Sequence, residues 1–95
     1  MQTNHIKITP RAVAFDFSDS TVRWIREDAF SSHTFNAINL LLPAGEFWFC
    51  RVFNKALPLV TDPILKEDIR AFVKQEAMHA RAHIQGQKFM ENHNY

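Results

Sequence analysis

The chain is short, moderately hydrophobic and almost neutral. Its 95 residues include 46% hydrophobic and 13% aromatic side chains, and its formal net charge is +1 at pH 7. This composition favours a single globular domain with a limited core over a disordered chain. Because no basic run is longer than two residues, we expect neither nucleic-acid binding nor attachment to a membrane surface.

Cysteine usage and apolar windows indicate the compartment. Cys50 is the single cysteine, so no intramolecular disulfide can form, and residues 1–10 lack the apolar segment of a signal peptide. The most apolar window, residues 40–53, is interrupted by Pro43 and Glu46 and is too short to cross a bilayer. We therefore predict a cytoplasmic protein with no transmembrane segment.

The N-terminal residues predict an extended arm. Residues 5–17 alternate weakly between apolar and polar side chains, and a lone hairpin here would be only marginally stable. Residues 1–20 are therefore expected to lie across a helical body of about residues 21–92, with Phe15 and Phe17 as anchors. The whole chain, residues 1–95, is predicted to be one all-α domain.

Two helical segments follow the arm. Residues 22–30 come after a cluster of capping residues and predict a short helical turn that places Trp24 and Ile25 inward. Ser31 and Ser32 are the next candidate caps and predict a helix over residues 32–42. Apolar residues at helical spacing support this helix, namely Phe35, Ile38, Leu41 and Leu42.

Pro43 interrupts the helical pattern. Because proline lacks a backbone donor and clashes with the preceding turn, the helix is expected either to kink or to end and restart there. Residues 44–57 predict a further helix, in which Glu46 shares one side with Phe49, Cys50, Phe53 and Leu57. A glutamate in a first helical turn is also favoured by the helix dipole, so Glu46 alone has a second interpretation.

The C-terminal helix is bounded by a capping pair. Asp62 at the N-cap and Pro63 at the first helical position predict its start, and the pattern continues to about residue 92. Charged residues occupy one face of this helix. The opposite face is predicted to be buried and contains Leu65, Ile69, Phe72, Glu76, His79, His83, Gln87 and Met90.

Three polar side chains on this buried face are candidate metal ligands. Glu76, His79 and His83 stand at i, i+3 and i+7 and therefore project from one side of the helix. A buried carboxylate and two buried imidazoles are unfavourable without partners, and a metal ion is one partner that serves all three. The alternative is a buried network in which they satisfy one another.

Glu46 is expected to face these residues, because two helices joined by a short turn pack antiparallel. Glu46 lies fourteen residues before Val60 in the turn and Glu76 lies sixteen residues after it, so the two carboxylates differ in height by about 3 Å. In ferritin-like di-metal bundles, a Glu from each of two helices and a Glu-x-x-His from each of the others bind iron or manganese. This chain has one of each. A zinc-protease site is excluded, because Gln75 stands where the first histidine of that motif would be.

These motifs together resemble a known family. Residues 43–46, the aromatic run that ends at residues 51–52, residues 62–63 and the pattern of residues 72–83 are similar to the bacterial predicted metal-dependent hydrolases. Residues 16–17, 32–33 and 36–37 resemble the N-terminal signature of that family. The similarity spans about residues 15–89.

The resemblance implies a fold and a site. The fold is ferritin-like, with this chain forming an antiparallel helix hairpin that is half of a four-helix bundle, and the implied metal ligands are Glu46, Glu76, His79 and His83. Since family members are longer, the chain is expected to be an N-terminal fragment, and such a fragment need not be active alone.

Three functions are open at this point. The first is a metal-dependent hydrolase with a small-molecule substrate of unknown identity, the second is a di-iron oxidase or oxygenase, and the third is a non-catalytic helical fragment or interaction module. The expected cofactor is a divalent transition metal, either iron, manganese or zinc. Because two helices leave apolar surface uncovered, a homodimer is expected to complete the bundle and a di-metal site.

Overall fold

The computed structural model describes residues 5–93, which form a helix hairpin preceded by an arm without regular secondary structure. Helix α1 spans Ala29–Ala56, a 3-10 turn spans Leu57–Leu59, and helix α2 spans Pro63–Asn92. No strand occurs within residues 5–93. The all-α hairpin is therefore confirmed, while its place as half of a ferritin-like bundle stays a prediction. The first four residues of the predicted arm lie outside the described residues.

The two helices run antiparallel, as expected from the short turn. Going from the start to the end of α1, its side chains contact progressively earlier residues of α2. Asn39 lies beside His83, Cys50 Sγ lies 3.5 Å from the carbonyl oxygen of Val73, and the ring of Phe53 packs edge-on against that of Phe72.

The start of α2 agrees with the sequence prediction. The Asp62 carboxylate accepts from the backbone N–H groups of Ile64 at 2.9 Å and Leu65 at 3.5 Å. Pro63 occupies the first turn, where no intrahelical donor is needed. The helix ends at Asn92, which is also the predicted end.

The start of α1 differs from the prediction. Asp28 is the N-cap, and its carboxylate accepts from both the backbone N–H and the hydroxyl of Ser31, at 2.9 and 2.6 Å. Ser31 and Ser32 are therefore inside the helix, and their assignment as caps was wrong. Glu27 has a φ of 62°, a left-handed conformation that a continuous right-handed helix does not contain.

The helical turn predicted over residues 22–30 was also wrong, because side chains of α1 bind the backbone of this segment. The Ile25 N–H donates to Ser32 Oγ at 2.9 Å, and Asn36 Nδ2 donates to the carbonyl oxygen of Val22 at 2.8 Å. Trp24 is not inward, since it is 54% exposed, although its Nε1 donates to Asn36 Oδ1 at 3.0 Å. Tertiary hydrogen bonds thus hold an irregular segment where local capping signals suggested a helix.

Pro43 lies inside α1, which continues through it without a restart. Proline has no N–H, so the carbonyl oxygen of Asn39, four residues earlier, lacks its usual helical donor. Gln87 of α2 supplies a replacement, because its Nε2 donates to that oxygen at 3.0 Å and lies 3.3 Å from the carbonyl oxygen of Leu40. Pro43 therefore leaves an acceptor free, and this acceptor forms a hydrogen bond between the two helices.

The inner face of α1 is polar. Its buried residues are Ser32, Asn36, Pro43 and Glu46, whereas the apolar residues that predicted this part of the helix, Phe35, Ile38, Leu41 and Leu42, are exposed. Among the described residues, Ala80 and Met90 are the buried hydrophobic ones. The hairpin therefore has only a small apolar interior, and neither of its helices has the length and apolar character of a membrane span.

The arm lies along α2 and runs in the same direction, which agrees with the prediction of an extended arm. Gln75 pairs with the backbone of Arg11, accepting at 2.7 Å and donating at 3.4 Å. Further along, the ring of Phe17 packs on that of Phe89 with centroids 5.9 Å apart, and Phe15 stacks on Phe17. The arm thus reaches the C-terminal half of α2.

Candidate metal centre

The candidate site is centred on the carboxylate of Glu46, which projects from the inner face of α1 towards α2. Its side chain is 6% exposed, Oε2 lies 3.2 Å from Nδ1 of His79, and Oε1 lies 3.3 Å from Nε2 of His83. Neither oxygen has a hydrogen-bond partner of acceptable geometry. An ionised carboxylate is costly to bury without partners, so this position requires a nearby positive charge or a proton.

Two imidazoles of α2 meet this carboxylate. His79 and His83 are four residues apart, so their rings lie on one side of the helix, with centroids 4.5 Å apart and planes tilted by 43°. Their Nε2 atoms lie 2.9 Å from each other. Three side chains therefore direct nitrogen or oxygen atoms at one small volume.

Asn39 determines the orientation of the His83 ring. Its Oδ1 is in hydrogen-bond contact with Nδ1 of His83, and its Nδ2 lies 3.4 Å from the carbonyl oxygen of the same residue. Because an amide oxygen can only accept, Nδ1 of His83 carries the proton, and the lone pair of a neutral ring is then on Nε2. That lone pair points at Glu46 and His79.

Burial shifts the pKa values of Glu46 and His83. Burial raises the pKa of Glu46, a positive charge on His79 would oppose this rise, and the negative charge of Glu76 adds to it. Burial also lowers the pKa of His83, and a charge on His79 lowers it further while Glu76 opposes the change. A neutral His83 with an electron pair on Nε2 is the form that binds metals.

The arrangement fits a metal ion. Among the His, Cys, Asp and Glu residues of positions 5–93, Glu46, His79 and His83 offer ligand atoms that all lie within 4.8 Å of one another. A cation at this position would partner both unpaired oxygens of Glu46 and would replace the repulsion between electron pairs by coordination. One carboxylate and two imidazoles are donors that zinc, iron and manganese accept.

The structure places Glu76 outside the group of converging ligand atoms and His79 at the edge of that group. Glu76 is half-buried one turn before His79 and does not belong to the converging group, although its charge acts on Glu46 and Cys50. Its role as a ligand stays a prediction. His79 was expected on the buried face, but its side chain is 53% exposed. It lies at the rim of the site because the helix interface is centred closer to Ala80, which is fully buried.

Reasoning from the sequence missed Asn39. It stands seven residues before Glu46 and therefore on the same face of α1, which is the signal that could have identified it. The side chain is nonetheless the direct partner of a candidate ligand, and such partners orient the ring and select its tautomer.

A cleft of about 510 Å³ opens beside the site. His79 and His83 contribute to its wall, and the remaining lining is mainly aromatic and aliphatic. The candidate metal centre is thus reached from a cavity and not only from bulk solvent.

Comparison with known proteins gives a family-level result. The sequence model of a family described as predicted metal-dependent hydrolase matches residues 9–95. No match is found among curated proteins or among solved structures. The matched range includes both helices and every candidate ligand.

Glu46→Gln is expected to stabilise the metal-free protein near neutral pH. Burial raises the folded-state pKa of Glu46 above its unfolded value, so stability is lost as pH rises through the folded-state pKa. The neutral amide removes this loss and can donate to Nε2 of His83. We expect a gain of about 1–3 kcal/mol, the range for a buried polar group left without a partner, in urea unfolding with chelator present.

The pH dependence provides the control. The gain should grow as pH rises from about 4 to about 7, through the range in which buried carboxylates titrate. Glu67→Gln, at an exposed residue that pairs with Lys7, should show no comparable growth. Equal pH profiles for wild type and Glu46→Gln would contradict the interpretation.

Proposed function

The chain belongs to the predicted metal-dependent hydrolase family, and from that premise we propose that it hydrolyses a small molecule with a metal ion held by Glu46, His79 and His83. The observation that carries the proposal is the buried carboxylate of Glu46, whose two oxygens lack hydrogen-bond partners and face two imidazole nitrogens. A purely structural network would be expected to satisfy these oxygens.

Each residue of such a site would have a distinct role. Glu46 supplies negative charge from the buried side, and Asn39 holds His83 in the tautomer that presents Nε2. We propose Glu76 as the fourth ligand; because one carboxylate oxygen suffices for that role, the other can accept a proton from the attacking water. A divalent ion, when bound, polarises the substrate oxygen and lowers the pKa of its water.

An oxygen-activating di-iron enzyme is the second candidate function. Iron accepts the same carboxylate and imidazole ligands, and the negative charge of Glu76 contributes to the raised pKa of Glu46. A third possibility is a metal that only stabilises the fold. The three alternatives differ in what they require besides metal binding, so activity measurements separate them.

Metal content is the first test of the site. Wild-type protein purified without chelator should contain about one ion per chain, and Glu46→Ala, Glu76→Ala and His83→Ala should each remove it, because each substitution removes a coordinating atom. Glu67→Ala, on the solvated face, should keep the wild-type content. Equal metal content in wild type and Glu46→Ala would sink the proposed centre.

Asn39→Ala provides a graded variant for the same assay. Since it removes a partner of a ligand and not a ligand, the affinity for Zn²⁺ or Mn²⁺ should fall by about 10–100-fold without complete loss.

Hydrolysis is the second test. Protein loaded with Zn²⁺, Mn²⁺ or Fe²⁺ should cleave members of a panel of carboxylic esters, amides and phosphate esters, and Glu46→Ala should reduce the rate to background. Oxygen consumption by the Fe²⁺ form with no hydrolysis by any form would favour the di-iron alternative. A bound metal with neither activity would favour the structural role.

We also propose that the partner is a second copy of the chain. Phe49, one turn after Glu46 on the same side of α1, is 43% exposed, which leaves apolar surface beside the site uncovered. A two-fold pair would bring together two copies of Glu46 and of Glu76-x-x-His79, the ligand set of a four-helix di-metal bundle.

Light scattering at micromolar concentration tests the dimer. The expected result is a dimer with a metal-to-chain ratio near one. A monomer that binds one ion with full affinity would contradict the shared site, and a dimer that survives complete metal removal would show that packing holds the pair together.

A further inference from the structure

The cleft beside the metal centre has the dimensions of a small-molecule site. Its volume of about 510 Å³ falls within the roughly 300–1,000 Å³ that such sites occupy. Four phenylalanines and one tryptophan contribute to its walls: Phe15 and Phe17 from the arm, Trp24 from the segment after it, Phe35 from α1 and Phe89 from α2. Trp24, Phe15 and Phe35 remain about half exposed, so a ligand in the cleft would have apolar surface to cover.

The polar side chains that line the cleft are those of Ser20, Thr21, Asn36, Asn39, His79 and His83. Of the Lys, Arg, Asp and Glu side chains in residues 5–93, none lines the cleft. The two lining asparagines are already engaged, Asn36 with Trp24 and Val22 and Asn39 with His83. Away from the two histidines, a charged group in the cleft would therefore lose hydration without gaining a partner of opposite charge, whereas an uncharged apolar group would lose no such hydration.

Gly86 keeps part of this space open. A Cβ atom at this position would lie 3.7 Å from Nδ2 of Asn39 and 3.9 Å from the ring of Phe17, which are ordinary contacts. Glycine also weakens a helix relative to alanine, and its φ here is not positive. Packing and backbone conformation thus do not require glycine at residue 86, while an open cleft benefits from it.

We propose that the cleft binds the apolar portion of the substrate, an acyl chain or an aryl ring, with the scissile bond beside His79 and His83. The substrate is then an ester or amide of an apolar carboxylic acid. Water adds to the carbonyl carbon, the C–O or C–N bond breaks, and the leaving alcohol or amine takes a proton, so that acid and alcohol or amine are formed without redox change. This inference rests on the proposed hydrolase function.

The cleft can be tested without metal, which separates it from the function. The uncharged fluorescent probe Prodan should bind the metal-free chain saturably, and octanamide should displace it at a concentration at least about 50-fold lower than acetamide does. The reason is that each fully buried CH₂ group contributes about fourfold in affinity. Competition by acetamide at the same concentration as octanamide would overturn the proposal.

Matched variants locate the binding. Ala82 and Gly86 line the cleft, while Ala44 is exposed on α1 and does not. Ala82→Leu and Gly86→Leu should each weaken octanamide binding at least about tenfold, since their side chains fill space that a ligand needs, and Ala44→Leu should leave it unchanged. Circular dichroism verifies that each variant is helical. Because two variants are used, the test does not depend on the folding of either one alone. Wild-type affinity in both cleft variants would overturn the proposal.

A metal-loaded measurement then tests the orientation. The kcat/KM for 4-nitrophenyl esters should rise at least about tenfold from acetate to octanoate in wild type and in Ala44→Leu, which lies outside the cleft, and Ala82→Leu should abolish the rise. If the metal-free cleft binds octanamide but no ester is cleaved, the hydrolase proposal fails and the cleft stands as a binding site. If the cleft variants instead dissociate a dimer, the cleft belongs to the contact between chains and the proposal is wrong.

Discussion

The carboxylate of Glu46 sets the condition that the rest of the hairpin meets. It is buried between the helices, and neither of its oxygens has a hydrogen-bond donor of suitable geometry. Such a group is tolerated only where positive charge or a proton lies beside it. α2 supplies two imidazoles at the same height, and Asn39 fixes the ring of one of them. The interior near Glu46 is therefore a polar cluster that a cation would fit, and not an apolar core.

Local rules predicted the parts of this arrangement that depend on neighbouring residues. The cap at Asp62 acts within one turn, whereas helix rise and turn length predicted Glu46 at the height of Glu76, about one turn before the His79 and His83 that it meets. Prediction failed where a distant side chain replaced a local partner. The backbone of Ile25 binds Ser32 and so did not become helical, and Asn39 acquires its role only through contact with the other helix.

α1 has polar residues inside and apolar residues outside, which explains why its apolar pattern predicted a helix but not the buried face. Ser32 and Asn36 face inward because they hold the irregular segment before the helix, and Glu46 faces inward at the site. Leu41 and Phe30 are left on the outside. The inner face of α1 thus makes its contacts through polar side chains, and hydrophobic periodicity detects only the apolar outer face.

The proline within α1 bears on how the hairpin unfolds. A proline in a helix interior destabilises an isolated helix by about 3 kcal/mol, so α1 is a poor helix by itself. The free carbonyl of Asn39 is satisfied only while Gln87 of α2 donates to it. Separation of the helices would therefore leave α1 with an interrupted ladder, and α1 would not persist long without α2. The hairpin is in this sense one cooperative unit, in which opening at any point near Pro43 exposes the whole site at once.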